Sequence, residues 1–284
     1  MIKRPSRRTF LVGCGSTLAG AAGIGLYTWR WEPHWLEVVS HRLPIRRLPA
    51  ALAGQTLMHI SDVHVGSRVD DRYVIDAFRR AAALAPDIVV FTGDFISHHA
   101  GVFAQASEVY RYFPRGRLAT LAILGNHDYG PGWSHPEIAD RVVQTVSAFG
   151  IAVLRNQCAV VEGLQILGLD DWWAHRFDAP AAFAALLPAL PTLVLSHNPD
   201  TADVPVWANF DGWILAGHTH GGQCKPPFLP PPLLPVLNKR YTAGEFDLSG
   251  RRRLYINRGV GHLWRVRFNV RPEITLHELQ ADLS

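Results

Sequence analysis

Five times along this chain, an apolar run of strand length stops at a polar cluster that contains at least one metal-capable side chain. Residues 56–60 run into Ser61-Asp62-Val63-His64, 88–91 into Thr92-Gly93-Asp94, and 118–124 into Gly125-Asn126-His127-Asp128. Residues 193–195 run into Ser196-His197-Asn198, and 213–216 into Gly217-His218-Thr219-His220. Helical patterns fill several of the gaps. Val74, Phe78, Ala81 and Ala82 recur on one helical face, Val142, Val143, Val146 and Phe149 mark a second helix, and residues 180–187 a third with Asp178 as N-cap. Strands alternating with helices predict an α/β sheet core, in which ligands gather beyond the carboxyl ends of the strands. All five clusters are placed there.

The rest of the chain is consistent with one domain over residues 31–284. Residues 31–53 read as a connector containing proline and arginine, and 152–154, 159–161, 164–167, 254–256, 266–268 and 274–276 as additional strands. Residues 226–235 are too rich in proline for a central strand or helix interior and read as a surface loop. Three cysteines exclude a disulfide scaffold. The net charge of +4 comes from the first thirty residues, which hold five cations and no acid. The remainder carries 23 basic against 24 acidic side chains, so no nucleic-acid partner is expected.

Asp62, His64, Asp94, Asn126, His197, His218 and His220 together offer seven oxygen or nitrogen donors and no thiolate. Such a mixture suits Mn, Fe, Zn, Co or Ni better than Ca or Mg, and it exceeds what one tetrahedral ion takes. Two divalent ions sharing a carboxylate would use the set, and such a pair activates a bridging hydroxide for in-line displacement at phosphorus. The i, i+2 spacing of Asp62 and His64, and of His218 and His220, places both donors of each pair on one side of an extended strand. His127, next to Asn126, is suited to stabilise phosphoryl oxygens or protonate a leaving oxygen, and Asp128 to orient that imidazole. Singly, each histidine is as easily a core residue; their shared placement at strand ends argues for the site. His98, His99 and His175 read as loop residues or substrate rim, Arg258 as a surface ion pair or a phosphate contact, and Cys158 and Cys224 as a pairing left open.

These ordered blocks resemble the calcineurin-like metallophosphoesterases: an Asp-x-His, a Gly-Asp, a Gly-Asn-His-Asp, a later His and a Gly-His-x-His. The finer resemblance is to a bacterial branch of exported or membrane-attached phosphodiesterases, through residues 61–66, 216–223 and Pro272-Glu273-Ile274, and covers about residues 32–279. It implies a four-layer α/β/β/α sandwich and a binuclear, metal-dependent phosphoesterase, foremost a phosphodiesterase. It also implies one ion held by Asp62, His64, Asp94 and His220, and a second held by Asp94, Asn126, His197 and His218. His127 takes the catalytic position, with Asp128 beside it. The substrate is a phosphoester small molecule or a lipid-linked one. Alternatives are an enzyme like UDP-2,3-diacylglucosamine pyrophosphatase and a non-catalytic scaffold of the same fold.

Residues 1–30 read as a leader or membrane anchor. Four cations precede an uncharged run over residues 10–27, and Ser6-Arg7-Arg8-Thr9-Phe10-Leu11 resembles the twin-arginine signal for folded export. Ala19-Gly20-Ala21 offers a cleavage site and Leu11-Val12-Gly13-Cys14 resembles a lipobox. A retained anchor, followed by the aromatic belt of Tyr27, Trp29, Trp31 and Trp35, is the favoured reading. The twin-arginine machinery is then a partner, and the body sits attached to the inner membrane, facing the periplasm or cell exterior.

Overall fold

A computed structural model describes residues 7–207 and 210–282, with the side chains of residues 7 and 9–15 excepted. Two six-stranded mixed sheets form its centre. The first contains β1 (Glu37–Arg46), β2 (Thr56–Ile60), β3 (Ile88–Thr92), β4 (Ala119–Ile123), β5 (Ala152–Val153) and β12 (Glu273–Asp282), in the order β1-β12-β2-β3-β4-β5. The second contains β6 (Gln157–Val161), β7 (Leu164–Gly168), β8 (Thr192–Leu195), β9 (Trp213–Ala216), β10 (Gly244–Asp247) and β11 (Arg253–Ile256), in the order β10-β11-β9-β8-β7-β6.

Side-chain alternation assigns strand residues to layers. In β3, Ile88 and Val90 join the core between the sheets with Ile166, Leu193 and Leu195, while Val89 and Phe91 face outward. There they meet α2 (Asp71–Ala82), α3 (Val102–Tyr110) and α4 (Pro136–Ser147) through Val74, Phe78, Val109 and Val142. On the far side, Val194 and Ile214 pack with Ala182 of α5 (Ala179–Ala184) and with Trp207. The result is the expected α/β/β/α sandwich. Asp70 caps α2 by accepting from the backbone N–H of Arg72 and Tyr73, and Asp178 caps α5 through Ala181 N–H.

Three expectations change. The connector contains β1, a ten-residue edge strand parallel to β12, with Pro44 tolerated because an edge strand has an unpaired side. Residues 266–268 form no strand: Phe268 makes one isolated bridge with Cys224. The N-terminal run is helical as α1 (Arg7–Leu26), yet no helix among the described residues is long and apolar enough to cross a membrane. Glycines at 13, 15, 20, 23 and 25 dilute its apolar character. Ser6 and the side chain of Arg7, on which the export motif partly rests, lie outside the described residues. Cys158 and Cys224 are free thiols.

Candidate metal centre

Strands β2, β3 and β4 run parallel, as do β7, β8 and β9, and the five polar clusters follow β2, β3, β4, β8 and β9. Their loops are tied together by the backbone. Asp62 N–H donates to Gly93 O at 3.0 Å, His64 N–H to Asp94 O at 3.0 Å, and Gly217 N–H to His197 O at 3.1 Å.

The expected strand alternation does not produce the convergence of donors. β2 ends at Ile60 and β9 at Ala216, so both donor pairs lie beyond their strands. Asp62, His64, Asp94, His218 and His220 instead have positive φ, at 51°, 53°, 62°, 70° and 48°. Left-handed backbone is costly for residues with a Cβ, and it survives where surrounding structure enforces it. Glycine is needed beside them for close approach: a Cβ on Gly217 would collide with Ser61 Oγ and Asp62 Oδ2.

Among the described residues, three groups of side chains are close enough to hold a metal ion: Asp62, His64 and His220; His64, Asp94 and His127; and Asp94, His197 and His218. Asp94 is common to the last two and His64 to the first two; Asp94 Oδ2 lies 3.4 Å from His64 Nε2 and 3.2 Å from His197 Nε2. His220 Nε2 is 3.4 Å from Asp62 Oδ1 and 3.0 Å from His64 Nε2, while His218 Nδ1 is 3.2 Å from His197 Nε2. The opposite ring nitrogens are oriented from behind: His197 Nδ1 by Thr92 O at 2.6 Å, His218 Nε2 by Pro235 O at 2.7 Å, and His64 Nδ1 by Ser97 Oγ at 3.2 Å.

The residues fit divalent cations on two further grounds. Both amide atoms of Asn126 are buried and have no hydrogen-bond partner among the described residues, which is expensive unless a ligand meets them. Burial pushes the Asp62 carboxyl up to about 7, so this carboxylate needs a cation to stay ionised. Burial also holds His64, His218 and His220 below the ordinary histidine range, leaving the neutral imidazoles a metal requires. Although burial opposes it, the Asp94 carboxylate raises His197 to about 10, so this ring holds a proton that a metal ion would have to displace.

His127 is half-buried, edge-on to His64 with centroids 4.9 Å apart, and its backbone N–H donates to Asp94 Oδ1 at 2.9 Å. Asp128 does not make the expected contact with the His127 imidazole. Its Oδ2 accepts from Asp94 N–H and Gly125 N–H at 3.0 and 2.9 Å, and its Oδ1 from Ile96 N–H at 3.1 Å. Asp128 therefore joins the β3 and β4 loops. Of the other residues singled out by sequence, His99 is bound to Ala100 O and Gln105, and Arg258 is ion-paired with Glu273 and Glu37. His175 is exposed, outside the site cavity.

A cavity of about 290 Å³ opens over Asp94, Asn126, His127 and His218. Arg68 and Trp133 also line it and were not anticipated. Arg68 carried no sequence signal, because it lies outside every block. Trp133 stacks on Trp173 at 4.7 Å, and Trp173 stands edge-on to His218 at 4.4 Å.

Buried imidazoles and carboxylates gathered at the strand ends of an α/β/β/α sandwich define a metal-dependent phosphoesterase. Residues 55–222 match the model of the calcineurin-like phosphoesterase family, and the chain belongs to that family. It is 35% identical over 280 residues to phosphodiesterase YaeI of Escherichia coli, covering 96% of this chain and 99% of that protein. It is 32% identical to the metallophosphoesterase YkuE of Bacillus subtilis, covering 99% of each. UDP-2,3-diacylglucosamine pyrophosphatase LpxG of Chlamydia trachomatis is 28% identical over 320 residues, with 93% of this chain and 97% of that protein covered. The chain is thus a hydrolase acting on phosphoric esters.

Proposed function

We propose that this chain is a binuclear phosphodiesterase. The observation that carries the reading is the single oxygen, Asp94 Oδ2, placed between His64 on one side and His197 on the other. Asp62, His64, Asp94 and His220 would hold one ion, and Asp94, Asn126, His197 and His218 the other, with manganese favoured by the mixed donors. When bound, such ions supply charge neutralisation at phosphorus and an acidified water as nucleophile.

The chain's own groups do the rest. The His127 imidazole lines the cavity, where it is placed to hydrogen-bond a phosphoryl oxygen or protonate the leaving oxygen. Arg68, held by donation from Nη1 to Leu263 O, presents its guanidinium to the phosphate oxygens that do not react. Trp133 and Trp173 wall one side against water. Ester-sized substrates suit the cavity, and the name of the YaeI relative supports a diester.

The test is elemental analysis of the purified chain with bis-p-nitrophenyl phosphate hydrolysis, measured with Mn²⁺ and after chelation. About two ions per chain and chelator-sensitive turnover are expected. A chain that takes up no metal on reconstitution would overturn the assignment.

The leader supports export through the twin-arginine machinery, leaving the body attached at the outer face of the inner membrane. Trp29, Trp31 and Trp35 are each about half exposed, as residues at a lipid–water boundary are. Replacing Arg7 and Arg8 by lysine should abolish export, read by fractionation; undiminished export would exclude this route.

A further inference from the structure

The cavity over the metal-binding residues adjoins a second one. Pro235, Leu263 and Trp264 line both, and beyond them a groove of about 470 Å³ opens. Its walls are almost entirely carbon, from Leu233, Leu234, Val266 and the Trp264 ring, and His220 is among the residues that line it. Leu233 and Trp264 are 61% and 55% exposed, an apolar surface that water solvates poorly. An apolar chain attached to a phosphate at the metal-binding residues would meet this groove at Pro235, Leu263 and Trp264.

The N-terminal segment arrives at the same place. Arg267 N–H donates to Thr28 O at 3.0 Å, and the Arg265 guanidinium lies 5.7 Å from the Trp29 ring. The segment that walls the groove is thus the one against which the chain leaving α1 docks. Trp29, Trp31, Trp35 and Trp264 are all at least half exposed, and Arg271 covers the Trp35 ring at 3.7 Å. Amphipathic aromatics interleaved with arginine suit the boundary between lipid and water.

We propose that the groove takes one alkyl or acyl chain of a lipid phosphoester, drawn from a membrane surface that the exposed tryptophans contact, with its phosphate at the metal-binding residues. The proposal rests on the phosphoesterase reading of the same site. A polar occupant is disfavoured, because carbon walls would leave its hydrogen-bonding groups unpaired. The reaction needs no co-reactant but water: one P–O bond forms from water, the ester P–O bond breaks, and a proton from water passes to the leaving oxygen.

The test uses the full chain with Mn²⁺ and a series of alkyl p-nitrophenyl phosphodiesters from ethyl to octyl. kcat/KM is expected to rise by up to about fourfold per methylene, the limit set by complete burial, until the groove is filled. Leu233→Asp should reduce the octyl-to-ethyl ratio of kcat/KM at least tenfold by the same reasoning. Leu237→Asp, at a position 81% exposed and outside the groove, should preserve that ratio. Co-sedimentation with phosphatidylglycerol vesicles should weaken in Trp31→Glu. Rates independent of chain length, an unaltered ratio in Leu233→Asp, or no vesicle binding would overturn the proposal while leaving the phosphoesterase reading intact. Failure to hydrolyse any ester in the series would remove that reading as well.

Discussion

Asp94 meets more demands than any other residue of the site. Its left-handed backbone aims Oδ2 between His64 and His197, its Oδ1 accepts from His127 N–H, and its own N–H is held by Asp128. A strained conformation of this kind costs on the order of 1–3 kcal/mol and has to be enforced by neighbours. Asp128 is one enforcer, which separates two mutations. His127→Ala should leave metal content unchanged and lower kcat by about 10²–10⁴-fold, as loss of an acid–base group does; loss of bound metal would make His127 a ligand instead. Asp128→Asn should destabilise the fold by about 1–3 kcal/mol, because an amide cannot accept from three backbone N–H groups with both its ends. Unchanged denaturation with an altered pH–rate profile would restore Asp128 to the role of orienting His127. The donor-bearing side chains and their order were legible in the sequence. The backbone conformation that makes them converge was not, since positive φ at a histidine or aspartate leaves no mark in residue type.

Among the elements, the strands that precede the clusters were legible because a mostly apolar run is what a doubly covered strand requires. β1 was not, because its exposed half is polar and it contains Pro44. Its burial comes from pairing along ten residues with β12, a strand more than two hundred positions away. Leu43 and Ile45 are buried in the core between the sheets. Leu43→Ala should therefore cost about 2–5 kcal/mol in urea denaturation, as for a core leucine. A cost below about 0.5 kcal/mol, the range of surface changes, would show that residues 31–53 are a dispensable connector after all. α3 was missed for the opposite reason: its residues 102–110 are apolar on more than one side, and Gly101 opens it without a side-chain cap.

On the scale of the whole molecule, the two sheets meet through a polar seam as well as through leucine and isoleucine. His59 and His277 stack at 5.9 Å beside Tyr255, and neither ring nitrogen of His277 has a hydrogen-bond partner among the described residues. Burial lowers His59 to about 3 and holds His277 well below the ordinary 6.5. A histidine depressed in the folded state favours folding above its unfolded value and loses that contribution as pH falls. Stability should accordingly decline from pH 6.5 toward about 3, and His277→Leu should flatten the decline. Urea midpoints taken in chelator, so that ion release does not contribute, would check this; parallel curves for the two proteins would sink it. By itself, the sequence determined which donors are present, their order, and their position after strands, because residue chemistry and hydrophobic period are local properties. The tertiary structure alone decided that one Asp94 oxygen faces two histidines, that Asp128 joins two loops, and that Leu233 and Trp264 form one groove. Those relations depend on how the sheets and their distant loops pack, and no local stretch of chain contains both partners.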